Sequence, residues 1–344
     1  MKLLVITQKV DINDDNLGFF HKWLEKFSAR LDKLYVICLW KGEYRLPDNV
    51  EVLSLGKENG FSKLKQFFRL QKILLKTLPV VDGVFIHMSP IYVITSFPLV
   101  KIFRKKMMLW FLHKSLNWKL KLAEKLVDNI LTASEESNRL KNRKKIKILG
   151  HGIDIDQFKQ SELITSSLKL RILSVGRIAP SKDLETLIHA IDILINQKSI
   201  RDIEIKIIGS PLEDSEKKYF ERLKFLVQEK NLQNYIEFLG GVPHREMSKY
   251  YQNSDLVVNL SHTGSIDKIV LEAMISGCLV LTCNEAFETI LDPKYLFKKK
   301  DSEGLAQMII KLKGVEKDKS LKEIVVKYHN LDNLIDKIIL GFHV

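Results

Sequence analysis

The most restrictive feature of this chain is an alternation that runs along its whole length. Short apolar runs are each followed by a longer stretch with helical period. The strand-like runs are Lys2–Thr7, Leu34–Leu39, Val50–Leu55, Val84–His87, Met107–Leu112, Asn129–Thr132 and Lys145–Leu149, then Leu168–Val175, Ile203–Ile208, Ile236–Leu239, Leu256–Leu260 and Cys278–Thr282. Helical patterns fill Leu17–Leu31, Phe61–Leu78, Ser134–Lys141, Lys182–Asn196, Asp214–Lys230 and Val270–Ile275. Strands joined through helices lie parallel, and a parallel sheet is covered on both faces. The pattern restarts after His151-Gly152-Ile153-Asp154. The expected fold is therefore α/β, with two doubly wound Rossmann-like domains facing across a cleft, over residues 1–152 and 153–329. A length of 344 residues suits two domains better than one.

Composition removes several classes. With 45% hydrophobic and 28% charged residues, 16 Gly and 8 Pro, the chain is neither disordered nor collagen-like. Cys38, Cys278 and Cys283 form no CxxC pair, which argues against a disulfide scaffold or a cysteine zinc site and for a reducing cytosol. The apolar run after Met1 is too short for a secretory signal. Gly83–Val100 holds no charged side chain, but His87, Pro90 and Pro98 divide it into strand, turn and helix, so it reads as soluble core.

Charge is concentrated in one half. Residues 1–150 hold 28 Lys+Arg against 14 Asp+Glu, a net +14, whereas the remainder nets −1 from 27 against 28. Between Asn59 and Ala123 the only acid is Asp82, against twelve basic residues. Lys65, Arg69, Lys72 and Lys76 recur at helical spacing and make a cationic stripe, with Leu64, Phe67, Phe68 and Leu75 beside it. Such a helix suits an anionic membrane surface. It equally suits a helix whose apolar side packs on the core. No helix-turn-helix, zinc-finger or RNP-like spacing is present, so nucleic acid is not an expected partner.

Two segments carry the chemistry. In Ser174-Val175-Gly176-Arg177-Ile178-Ala179-Pro180-Ser181-Lys182-Asp183 a strand ends at a glycine that permits close backbone approach, and two cations flank a turn opening a helix. Cations beside free amides at a helix start suit a diphosphate. The segment is neither a Walker A loop nor a GxGxxG. In Ser261-His262-Thr263-Gly264-Ser265-Ile266-Asp267-Lys268-Ile269-Val270-Leu271-Glu272-Ala273-Met274 a small polar loop precedes a helix carrying Glu272, and Gly277 ends it. A carboxylate there can accept both ribose hydroxyls. The plain alternatives are solvated loop cations, a helix cap, and an exposed helical glutamate.

These elements resemble the retaining glycosyltransferases of family 4, which have the GT-B fold. The resemblance covers most of the chain and is most specific in the second half, where strand-GRxxxxK-helix and LEAMxxG follow in order; it implies that a last helix, about Leu331–Leu340 within 330–344, crosses back to join the first domain. It implies that Arg177 and Lys182, beside Gly176, bind the donor diphosphate, and that Glu272 binds the donor ribose. Gly264, Ser265, Ile266, Asp267 and Lys268 would hold the sugar and phosphates, with Gly240 and Gly241 near the base. Asn16, Leu17 and Gly18 fall where the family carries its acceptor loop, and His87 is a second acceptor-side candidate. His113, at a strand end, corresponds to the family's histidine near the donor sugar and joins Arg177 and Lys182 as a catalytic candidate. Thr132 to Ser137 matches the family's TxSxxS helix start. One departure stands out: the first of the family's two glutamates, eight positions apart, would fall at Gly264, so Asp267 is the substitute carboxylate.

The resemblance implies retaining transfer of a hexose-type sugar from a UDP- or GDP-type donor to a glycan or lipid-linked acceptor. It places this in cell-envelope polysaccharide biosynthesis, in the cytoplasm or peripherally at the inner membrane face. No metal or other cofactor is expected, because the cations replace the metal; Asp154 and Asp156 read as hinge surface. The rivals are a degenerate GT-B nucleotide or glycan binding protein, for which Gly264 argues, and a phosphorylase or epimerase of similar fold.

Overall fold

The computed structural model describes residues 1–112, 116–135, 140, 143–158, 169–262 and 264–343, with Arg143 described by its backbone. His113, Ser137, Thr263 and most of the helix expected over 134–141 lie outside the described residues. Two compact units emerge. The first comprises residues 1–154, 243–245 and 329–344, and the second residues 155–242 and 246–328.

In the first unit, strands β1 (Lys2–Val10), β2 (Lys33–Lys41), β3 (Val50–Ser54), β4 (Gly83–His87), β5 (Lys106–Trp110), β6 (Asn129–Thr132) and β7 (Ile146–Ile148) form a parallel sheet ordered β3-β2-β1-β4-β5-β6-β7. Side chains alternate along a strand, so β1 sends Leu4 and Ile6 to one face and Leu3 and Val5 to the other. On the first face lie α2 (Lys63–Thr77), α3 (Pro90–Ile102) and α4 (Trp118–Leu126), through Leu70, Leu74, Val93, Val100 and Leu120. On the other lie α1 (Phe19–Ser28), through Phe20, Trp23 and Phe27, and the C-terminal helix (Leu331–His343), through Leu334, Ile335 and Ile338. Ion pairs hold that last helix on α1: Lys26–Asp332 at 2.9 Å, Arg30–Asp332 at 2.8 Å, and Arg30–Asp336. Where the chain returns, the His151 amide donates to His329 Nδ1 at 3.0 Å, and Ile153 bridges to Asn330.

In the second unit, β8 (Leu170–Val175), β9 (Ile203–Ile208), β10 (Ile236–Gly240), β11 (Leu256–Asn259) and β12 (Leu279–Thr282) form a parallel sheet ordered β10-β9-β8-β11-β12. Its helices are α5 (Leu184–Asp192), α6 (Asp214–Glu229), α7 (Met247–Gln252), α8 (Lys268–Ile275), α9 (Ser302–Leu312) and α10 (Lys319–Tyr328). Strand order reverses between β8 and β11, the place where such sheets bind ligands at their carboxyl ends.

Several expectations shift. The helix expected from Lys182 starts only at Leu184. Pro180–Lys182 instead forms a 3-10 turn, and Asp183 takes a left-handed φ of 42° that ends it. Beyond Asp192 the helix widens into a π turn over Ile193–Gln197. Asp154, read as hinge surface, is buried at 8% exposure. Gly83–Val100 divides into β4 and α3, and no described helix is long and apolar enough to cross a membrane. All three cysteines are free and buried.

Candidate functional site

The loops that follow β8, β9 and β10 are tied edge to edge. The Gly176 amide donates to Ile208 O at 2.9 Å, and the Gly209 amide to Gly240 O at 2.8 Å. Gly176 and Gly209 have φ of 146° and 147°, and Gly240 has 74°. A Cβ at Gly209 would overlap the Gly176 carbonyl oxygen, so the two backbones meet only because residue 209 is glycine. Gly241, next along, is exposed.

Arg177 and Lys182 line one small cavity at the ends of β8 and β11, with Gly176, Asn259 and Leu260. Each cation is aimed by an acid. Arg177 Nε lies 3.2 Å from Glu216 Oε1. The same glutamate accepts the amides of Leu212 and Glu213 at 2.8 and 3.2 Å and so caps α6. Lys182 Nζ donates to Ser261 Oγ at 3.0 Å and to Asp267 Oδ1 at 3.1 Å. The other Asp267 oxygen accepts from Asn259 Nδ2 at 3.3 Å and Asn284 Nδ2 at 3.1 Å. Asn284 also donates to Ser265 O at 2.7 Å, and Thr282 Oγ1 donates to Asn259 Oδ1 at 2.9 Å. This network fastens the loop before α8 to the ends of β11 and β12.

Glu272 is buried at 3% exposure, which overturns its reading as an exposed helical glutamate. Its Oε2 accepts from Tyr251 Oη at 3.0 Å. Burial and the Glu272 charge push that phenol well above its usual range. One turn earlier, burial lowers the Lys268 ammonium to about 8, with Glu272 opposing the shift. Ile266 is buried and Ser265 half-buried. Nearby, His262 Nε2 lies 3.3 Å from Asp183 Oδ2 at the start of α5. Among the described residues, no three His, Cys, Asp or Glu cluster closely enough to hold a metal ion.

The sequence profile of the family described as glycosyl transferases group 1 matches residues 154–328, just over half of the chain. The chain belongs to this family. A D-inositol 3-phosphate glycosyltransferase of Frankia alni is 25% identical over 146 residues, 40% of this chain and 36% of that one. An Escherichia coli glycosyltransferase named for colanic acid biosynthesis is 25% identical over 186 residues, 51% of this chain and 44% of that one. The matches thus span less than half the length of these curated relatives. Among solved structures, Anabaena HepE in complex with UDP and glucose has a TM-score of 0.77 at 17% identity, covering 100% of this chain and 99% of its own. A glycosyltransferase of Rickettsia africae has 0.74 at 17%, covering 98% and 97%. These likenesses establish the GT-B fold, two Rossmann-like α/β domains.

Within this group 1 chain, the backbone accounts for the departure at Gly264. Its φ is 64°, a left-handed conformation that favours glycine over glutamate. Asp267 is instead the loop carboxylate drawn toward Lys182. Asn259, Tyr251, Glu216 and Asn284 were not singled out from the sequence. Lone polar residues near strand or helix ends carry no periodic signal.

In the first unit, Asp14 organises the loop after β1. Its Oδ1 accepts the amides of Asn16 at 2.9 Å and Leu17 at 2.6 Å, and its carbonyl accepts that of Gly18 at 3.1 Å. Burial raises the Asp14 carboxyl, but bonds from Lys9, Leu17 and Asn16 outweigh it and hold it below the usual range. His87 is buried at 2% exposure, stacked on Phe20 at 3.9 Å with Nδ1 3.3 Å from Thr7 Oγ1. It is thus part of the packed aromatic layer behind that loop. Lys65, Arg69, Lys72 and Lys76 are all exposed on α2.

Proposed function

We propose that this chain transfers a hexose-type sugar from a UDP- or GDP-sugar to a glycan or lipid-linked acceptor, with retention at the anomeric carbon and without a metal ion. We place this reaction in cell-envelope polysaccharide assembly, at the cytoplasmic face of the membrane, with the first unit taking the acceptor. The observation that carries the reading is Lys182, held by Ser261 and Asp267 at the strand-order reversal of the second unit, in one cavity with Arg177. The UDP bound to Anabaena HepE and the glycosyltransferase names of the relatives support the donor class.

Cleavage of the anomeric bond leaves negative charge on the diphosphate and positive charge on the sugar. Cations fixed beforehand by Glu216 and Asp267 stabilise that separation more than the ground state. Glu272, oriented by Tyr251, accepts the ribose hydroxyls. Asp267 is surrounded by three donors, which makes it a poor nucleophile and favours attack from the leaving-group face. The departing phosphate then takes the acceptor proton. Gly264 favours a second reading, a GT-B protein that binds its nucleotide without turnover.

The test is nucleoside diphosphate release from UDP-, GDP-, ADP- and dTDP-hexoses in EDTA. We expect release from one donor class, lost in Lys182→Ala while the variant still unfolds cooperatively, its melting temperature lowered by no more than the loss of the bonds to Ser261 and Asp267 explains. A donor that binds and is never cleaved supports the second reading instead.

A further inference from the structure

At about 100° per residue, α2 presents three faces. Leu70, Leu74 and Thr77 make the buried one. Leu64, Phe67, Phe68 and Leu75 make a second, and they are 66%, 40%, 62% and 52% exposed. Lys65, Arg69, Lys72 and Lys76 make the third, beside the apolar stripe. The apolar stripe visible in the sequence is therefore not the face that meets the core. The cations are partly ordered: Lys65 Nζ sits 3.4 Å from the Phe61 ring centre, and Arg69 Nε donates to Ser54 O at 2.6 Å. On α3 and α4, in the same helical layer, Ile102 and Trp118 are 70% and 65% exposed. Apart from Asp82, no acid lies between Asn59 and Ala123.

We infer that α2 docks on an anionic lipid surface by insertion, with Leu64, Phe67, Phe68 and Leu75 entering the acyl boundary and the adjoining cations meeting headgroups. The occupant is argued from charge and polarity together. A bilayer offers negative headgroups and hydrocarbon side by side, in the order these two stripes require. Nucleic acid offers charge without hydrocarbon for the apolar stripe. This deepens the membrane placement proposed above and rests on it, while the donor chemistry stands independently.

The test is co-sedimentation of the full chain with vesicles about one-third phosphatidylglycerol, against pure phosphatidylcholine. Each cation at such a surface contributes about fivefold, so Lys65→Glu/Lys72→Glu/Lys76→Glu is expected to lower binding at least about 100-fold. Leu64→Ser/Phe68→Ser/Leu75→Ser is expected to lower it at least about tenfold while leaving its salt dependence unchanged. All six positions are exposed, so melting temperature and nucleoside diphosphate binding should hold in both variants. Phe68→Trp should be quenched by brominated lipids. Absence of vesicle binding by the parent overturns the inference and leaves an acidic protein as the occupant. Undiminished binding of the serine variant, or no quenching, overturns insertion. Failure of nucleotide binding with vesicle binding intact overturns the donor reading and supports this one.

Discussion

The close approach of Gly209 to Gly176 offers a sharp test of the site's architecture. Gly209→Ala places a Cβ on the Gly176 carbonyl oxygen, a backbone atom that cannot swing aside. At φ 147° the alanine is also strained. The strain costs about 1–3 kcal/mol and the overpacking about as much again. Gly240→Ala is the matched control, because it shares a left-handed φ, 74°, but a Cβ there meets nothing within 4 Å. That leaves about 1–2 kcal/mol of strain alone. At roughly 2–4 °C per kcal/mol for a domain of this size, the overpacking alone should put Gly209→Ala at least about 2 °C below Gly240→Ala by calorimetry. Relief of the overlap moves the loop that carries Arg177. Displacement on the order of 1 Å costs about 100-fold in rate, so turnover should fall further than stability explains. Equal melting temperatures for the two variants would refute the edge-to-edge packing of these loops.

Two further outcomes follow from buried polar groups. Tyr251→Phe removes the 3.0 Å bond to Glu272; a bond to a charged group contributes about 1.5–3 kcal/mol, so melting should fall by several degrees and nucleotide affinity with it. Unchanged melting would show that Glu272 is held by other contacts. His329 is lowered from 6.5 to about 4 by burial and then by Lys337, and its Nδ1 must stay unprotonated to accept the His151 amide. As pH falls the unfolded chain takes up this proton first, so the contribution of His329 is intact above about 6.5 and is lost towards 4, up to about 3 kcal/mol. His329→Gln should make chemical unfolding less pH-dependent across that window, and a parallel profile would contradict the assignment.

The parts legible in the sequence were those with a period or a local grammar. Most of these parallel strands are buried and read as apolar runs, so the twelve strands among the described residues fall within a few residues of their expected ends. Gly176, Arg177 and Lys182 stood out because a glycine and two cations interrupt a strand-to-helix passage. The start of α5 was not legible, since it depends on the left-handed turn at Asp183. Nor was the network around Asp267, whose partners Lys182 and Asn284 lie 85 and 17 residues away and meet only through sheet order. On α2 the amphipathic period was plain. Which stripe faces the core was set by the sheet beneath it, and the visible apolar stripe lost to Leu70 and Leu74.

The most direct test of the phosphate clamp is calorimetric titration of UDP, UMP and uridine, with the GDP series beside them, into the parent and Lys182→Ala. We expect one diphosphate to bind more tightly than its monophosphate, and the variant to lose about 10- to 150-fold for the diphosphate, the worth of a charge-assisted bond. Nucleoside affinity should stay as in the parent, and the variant should still melt cooperatively, lowered only by the loss of its bonds to Ser261 and Asp267. Equal diphosphate affinity in parent and variant would contradict the clamp and the donor site built on it.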